Sequence, residues 1–174
     1  MASIHVRTAT IDDADAMGRV HVRSWQAAYR GIFPDALLDG LDPADRAANW
    51  RTAFEARAEP AGGRRLVVEL DGDVAGFALV RSAVNDDEPG LGEVVLLYLE
   101  QHAWGTGAGP ALFTECVDTL IERGYSSAVL WVAADNARAR RFYEREGWSP
   151  DGASRVDVLE GAEIGEVRYR RSLR

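Results

Sequence analysis

The sequence predicts an α/β fold, and three observations carry that reading. The run 94–99 (VVLLYL) is apolar throughout, too short to cross a membrane and without helical phasing, as in a strand buried on both faces. Beyond a glycine-rich turn, Leu112, Phe113, Cys116, Val117, Leu120 and Ile121 recur at three- and four-residue spacing. Glu115, Asp118, Glu122 and Arg123 fill the opposite face, so this is an amphipathic helix, with Pro110 in its first turn and Gly124 at its end. A second apolar run, 128–134 (AVLWVAA), is another buried strand that feeds another helix.

The remaining elements follow in order. Ile4 and Val6 alternate with polar residues as a short opening strand. Ala14, Met17, Val20, His21, Ser24 and Trp25 trace one face of a helix that Asp12 or Asp13 can cap, until Gly31 interrupts it. Asp42 or Asp45 opens a second helix through about Arg57, with Ala47, Trp50 and Phe54 inward, and Pro60, Gly62 and Gly63 form a loop. Runs 66–70 and 74–83 flank Asp71-Gly72-Asp73, a strong hairpin signal, and polar residues 85–90 lead into the central strand. Asp135 and Asn136 start a helix that runs to Glu146 and closes with Gly147, and strands near 154–159 and 165–172 complete the sheet. The order is strand, two helices, three strands, helix, strand, helix, two strands. That makes about seven strands in a single domain over 1–174.

Composition limits the function classes. At 47% hydrophobic and 28% charged, the chain has the balance of a soluble globular protein. No apolar run reaches spanning length, and the first twenty residues carry Asp12, Asp13 and Asp15 instead of a basic, greasy leader, so no membrane association and a cytoplasmic location are expected. Cys116 is the only cysteine and sits on the apolar stripe, where it reads as a packed core thiol. His5, His21 and His102 have no metal-binding spacing, so no metal is expected. A net charge of -8 opposes nucleic-acid binding and suits cationic acceptors, although a solvated acidic surface explains it as well. All twenty basic residues are arginine.

The turn itself has two readings. Gly105, Gly107 and Gly109 make either a tight strand-to-helix connection or a cradle of converging N–H groups for a phosphate or pyrophosphate, reinforced by the helix N-terminus behind them. The lysine and hydroxyl of a P-loop are missing, and the turn falls too late in the chain for a dinucleotide fold.

Two segments resemble the GCN5-related N-acetyltransferase (GNAT) family. Trp104, Gly105, Thr106, Gly107, Ala108 and Gly109 match that family's Gln/Arg-x-x-Gly-x-Gly/Ala turn, except that Trp104 stands where Gln or Arg is usual. Residues 136–148 match its Asn-x-x-Ala-x-x-Phe-Tyr-x-x-x-Gly-Phe/Trp motif at Asn136, Ala139, Phe142, Tyr143, Gly147 and Trp148. The resemblance implies a central mixed sheet splayed between its two middle strands, with helices on both faces. It implies acetyl-CoA as acyl donor, without metal, and a primary amine of a small molecule or a peptide as acceptor.

The same resemblance assigns roles. Tyr143 would protonate the departing thiolate, and Asn136 would touch the pantetheine arm. The main-chain N–H of Leu97 would face the oxyanion, with Tyr98 and Leu99 along the pantetheine and residues 104–109 on the pyrophosphate. Glu93 matches a glutamate used as base in some relatives, and otherwise reads as a solvated carboxylate at the strand entry. Tyr143 otherwise reads as core. Arg138, Arg140, Arg141 and Arg145 either meet CoA phosphates, Arg140 being the chosen candidate, or form a solvated helix face. Trp25, Tyr29 and Phe33 read as core or as the wall of an acceptor pocket. Without a Gly-x-Ser-x-Gly elbow, direct transfer in a ternary complex is expected. A non-catalytic acyl-CoA sensor is the alternative, and a homodimer is allowed.

Overall fold

Asp71 and Gly72 close a two-residue hairpin, both left-handed (φ 55° and 93°) as a type I′ turn requires, between β2 (Arg64–Leu70) and β3 (Asp73–Ser82). That hairpin is flanked by β1 (Ile4–Thr8) and β4 (Leu91–Leu99). With β5 (Ser127–Ala133), β6 (Ser149–Leu159) and β7 (Ala162–Ser172) they form one seven-stranded mixed sheet, ordered β1-β2-β3-β4-β5-β7-β6. The computed structural model describes residues 2–84 and 88–173, so part of the expected polar approach at 85–90 lies outside the described residues.

Helices cover both faces. On one, α1 (Ala14–Ala28) and α3 (Pro43–Ala56) bring Met17, Val20 and Phe54 onto Val67 and Phe77. On the other, α4 (Ala108–Glu122) and α5 (Ala137–Arg145) join Leu112, Phe113, Cys116 and Tyr143 to Val68, Ala78 and Val80. Neighbouring residues of one strand thus serve opposite cores, the period-2 alternation of a sheet buried on both faces.

Local chemistry explains the boundaries. The side chain of Asp42 accepts the Ala44 N–H (2.8 Å) and Pro43 occupies the first helical position, which fixes the start of α3. Before α1, the turn Ile11–Asp13 is closed by Asp13, whose carboxylate accepts the Thr10 N–H (2.8 Å) and a forked pair of bonds from Arg7 (2.8 Å each). Three expectations shift. A short helix, α2 (Asp35–Asp39), forms after Pro34, too brief to show periodicity. Ile121, expected on the buried stripe, is 47% exposed, because the stripe ends at Leu120. The strand expected from 154 begins at Ser149, since a register shift between Pro150 and Ser154 absorbs residues that read as a loop.

The feature that positions the site is the middle of the sheet. β4 and β5 pair in parallel only from Leu91↔Ser127 to Val94↔Leu130. Past that point β4 stays with β3 out to Gly76↔Leu99, and β5 stays with β7 out to Ala133↔Glu166. Val80 opposes Val94 and Leu79 opposes Leu96, so Val95 is an extra residue, and such a bulge bends and twists the strand that carries it.

Close approach of α1 to α3 rests on Gly18, where a Cβ would lie 2.4 Å from the Pro43 carbonyl oxygen and 2.7 Å from the Ala47 nitrogen. Both are backbone atoms and cannot rotate away. Gly18→Ala should therefore destabilise the fold despite a gain of about 1 kcal/mol in helix propensity, since overpacking costs roughly 1–3 kcal/mol. A thermal melt at or above that of the parent chain would overturn this packing argument.

Candidate active site

Where β4 and β5 diverge, a cleft of about 940 Å³ opens. One wall is residues 95–99 of β4 with the glycine turn and the start of α4, and the other is Trp131, Val132 and Ala133 of β5 with Asn136 and α5. Both helices follow the parallel strands that feed them, α5 closely and α4 after a 3-10 turn (Gln101–Ala103) and the glycine turn, and the starts of both border the opening.

The turn is shaped by two glycines. Gly105 (φ 75°) and Gly107 (φ 98°) are left-handed, and Gly107 caps α4 in a conformation that a side chain would strain. Gly105, Gly107 and Gly109 all border the cleft. Thr106 does not: its hydroxyl donates to the Ala103 carbonyl (2.8 Å) and accepts the Ala108 N–H (3.3 Å), tying the turn together from behind. Ala108 is fully buried in the core. Main chain and missing side chains therefore line this part of the cleft.

Leu97, Tyr98 and Leu99 border the cleft, and β4 has no strand partner on that side beyond Val94. Asn136 also borders it while capping α5, its side-chain oxygen accepting the Ala139 N–H (3.1 Å). Arg140 is turned away. Its Nε donates to the Tyr169 hydroxyl (3.1 Å) and its Nη1 to the Ala134 carbonyl (3.0 Å), which commits the guanidinium to the seam between α5 and the sheet. Arg138, Arg141 and Arg145 border the cleft instead.

Of the three aromatic residues proposed as acceptor contacts, only Tyr29 reaches the cleft. Trp25 and Phe33 are each 4% exposed and stack at 5.5 Å with 9° between their planes, so they form the packed base on which Tyr29 rests edge-on (5.1 and 5.2 Å).

Glu93 is buried, 8% exposed, and borders the cleft. Desolvation pushes its carboxyl above the usual range, and Arg81 and Arg155 pull it partly back. Its Oε2 lies 3.7 Å from the Arg81 Nε, beyond a hydrogen bond, and neither atom has a hydrogen-bond partner among the described residues. Tyr143 packs against Phe113 (5.5 Å), Phe142 (5.4 Å) and Tyr169 (6.3 Å), yet borders the cleft. Burial raises the pKa of its hydroxyl further above neutral pH, where a tyrosine already carries its proton. This tyrosine thus packs in the core and also borders the cleft.

The structure adds residues that the sequence did not single out. Arg81, Trp131, Arg155, Asp157 and Glu166 complete the end of the cleft around Glu93. Arg155 stacks over Trp131 (4.2 Å) and donates to Glu166 (2.7 Å). Arg81 lies directly across from Glu93 in the β3–β4 ladder, a pairing legible from sequence only once the register is known. Among the described residues no group of three His, Cys, Asp or Glu side chains is arranged to hold a metal, and no helix is long and apolar enough to cross a membrane.

A mixed sheet opened between its middle strands, with a glycine turn at the mouth of the opening, is the architecture that the resemblance to N-acetyltransferases implied. The sequence pattern of the Acetyltransferase (GNAT) family matches residues 22–148, and the chain belongs to that family. It is 29% identical over 165 residues to Uncharacterized N-acetyltransferase YuaI of Bacillus subtilis, covering 94% of this chain and 90% of that one. Mycothiol acetyltransferase of Corynebacterium aurimucosum is 28% identical over 162 residues, which is 84% of this chain but 49% of that relative's length. Among solved structures, yncA of Salmonella typhimurium, determined with acetyl-CoA, superposes with a TM-score of 0.70 at 22% identity, covering 99% of this chain and 95% of that one. The chain is an acetyltransferase that takes its acetyl group from acetyl-CoA.

The raised pKa of Glu93 has a thermodynamic consequence. The folded chain holds this proton more tightly than the unfolded chain, so its stabilising effect is complete below the unfolded carboxylate range and is lost as pH rises through the higher folded value. Glu93→Gln keeps the shape and removes the titration. The variant should melt above the parent at neutral pH, with the gap shrinking as pH falls below the ordinary carboxylate range. Scanning calorimetry at both pH values checks this, and a gap that is reversed or independent of pH would refute it.

Proposed function

We propose that the chain is a cytoplasmic, single-domain N-acetyltransferase that moves the acetyl group directly to a primary amine of a small molecule or peptide, with both substrates bound together. The observation that carries the proposal is the pair of polar groups in one cleft, a buried Glu93 whose Oε2 has no hydrogen-bond partner among the described residues and a protonated Tyr143 hydroxyl at the cleft wall. Attack by an amine requires that a proton leave the nitrogen and that another reach the sulfur. A carboxyl raised by burial would take the first, directly or through water, and the Tyr143 hydroxyl, which carries its proton at neutral pH, would give the second.

The rest of the assignment follows the walls of the cleft. The glycine turn would hold the pyrophosphate of acetyl-CoA through main-chain N–H groups. Leu97, Tyr98, Leu99 and Asn136 would line the pantetheine arm, and the Leu97 N–H would meet the oxyanion. The acceptor would enter past Tyr29, where Glu93, Asp157 and Glu166 bring carboxylates to the cleft. Arg81 and Arg155 pair with these carboxylates, so charge at this end of the cleft is balanced.

Tyr143→Phe keeps the ring packed among Phe113, Phe142 and Tyr169 and removes only the hydroxyl. If the hydroxyl protonates the leaving thiolate, kcat should fall by about a hundredfold or more while acetyl-CoA affinity changes little. Thiol release across an amine panel, with calorimetric titration of acetyl-CoA, measures both. Parental kcat in the variant removes Tyr143 from the mechanism. Tight acetyl-CoA binding with no thiol release on any amine would return the chain to the sensor reading.

The homodimer reading is supported by β6, which forms one edge of the sheet and exposes Val156 (69%) and Val158 (60%) two residues apart on one face. Sedimentation velocity should show a dimer that Val158→Asp dissociates. A parent chain that sediments as a monomer rejects this part of the proposal.

A further inference from the structure

The turn lacks the polar side chain that the family places at its first position, and Trp104 stands there instead. The Arg138 guanidinium carbon sits 3.8 Å from the centroid of the Trp104 ring, close enough for a face-on stack. We propose that this stacked Arg138 supplies a cation from α5 to a turn that carries none, and that it binds the diphosphate of CoA opposite the main-chain N–H groups at Gly105, Gly107 and Gly109.

Three observations support the assignment independently of the motif. First, Arg138 and Trp104 border the same cleft as the three glycines, so the cation and the cradle face one volume. Secondly, Arg138 is exposed and forms no hydrogen bond or ion pair among the described residues. Arg140, two residues away, is committed to Tyr169 and Ala134, so the two arginines have separate jobs on one helix. Thirdly, stacking on indole uses the flat face of the guanidinium and leaves its N–H edge directed outward, the edge that makes forked bonds to phosphate oxygens. Trp104 then acts as a seat for the cation. It limits the side-chain freedom that an exposed arginine would otherwise lose on binding.

The inference rests on the reading of the cleft as an acetyl-CoA site, and the experiment separates the two. Equilibrium binding of CoA, 3′-dephospho-CoA and phosphate-free pantetheine is measured for the parent, Arg138→Ala, and Arg138→Ala combined with Trp104→Arg. Failure of the parent to bind CoA would overturn the site itself, and this inference with it. With parental binding intact, Arg138→Ala should weaken CoA and 3′-dephospho-CoA by a similar factor, about tenfold or more, and leave pantetheine unchanged. The double variant places a cation at the turn's first position and should recover most of the loss, which a merely structural role for Arg138 would not allow. Unchanged CoA affinity in Arg138→Ala, or an equal loss with pantetheine, overturns the proposal. A loss confined to CoA also overturns it, because the contact would then be with the 3′-phosphate.

Discussion

The site depends on β4 and β5 being partners for only part of their length. Parallel pairing from Leu91↔Ser127 to Val94↔Leu130 holds the two halves of the sheet as one body, and its loss beyond Val94 creates the cleft. An unpaired buried main-chain group costs about 1–3 kcal/mol, so a strand does not give up a neighbour without support. Here each strand has that support on its other edge, β4 from β3 and β5 from β7, out to the last residue of the gap. The main-chain groups left facing the opening are preorganised donors and acceptors, available to a ligand because no strand has claimed them.

That arrangement also aligns the helices. Each parallel strand is followed by a helix, and both helices start at the end where the strands separate. A short, left-handed glycine turn brings the chain from β4 into α4 with no side chain in the way, and Asn136 caps α5 on the facing wall. The N-terminal ends of two helices, three bare glycines and a stacked arginine therefore border one mouth, a surface with the electrostatic character that suits a polyanion.

Burial shifts the titrations within the cleft. The same desolvation that packs Tyr143 into the core raises the pKa of its hydroxyl, and the same burial raises Glu93. Arg81 restrains the shift of Glu93 without closing onto it, since 3.7 Å separates the two. One carboxyl oxygen, Oε2, is therefore held near a charge without a hydrogen-bond partner among the described residues. Tyr29 reaches the cleft only because Trp25 and Phe33 are buried beneath it.

Local pattern was enough for the elements and for the glycine turn. Apolar runs, helical spacing, the Asp71-Gly72 turn, the glycines at 105, 107 and 109 and the Asn136 cap are all settled by residues a few positions apart, and their physics is equally short-ranged. What local pattern could not give was which side chains face a shared volume. Arg140 and Arg138 are two residues apart on one arginine-rich helix, yet one is held by Tyr169 and the other lies on Trp104. Glu93 read equally well as a solvated carboxylate, and only the packing around it makes it buried. Trp25, Tyr29 and Phe33 looked alike until the fold buried two and brought the third to the cleft. Strand register, the Val95 bulge and the divergence of β4 from β5 decided these outcomes, because they depend on pairings between residues far apart in the chain.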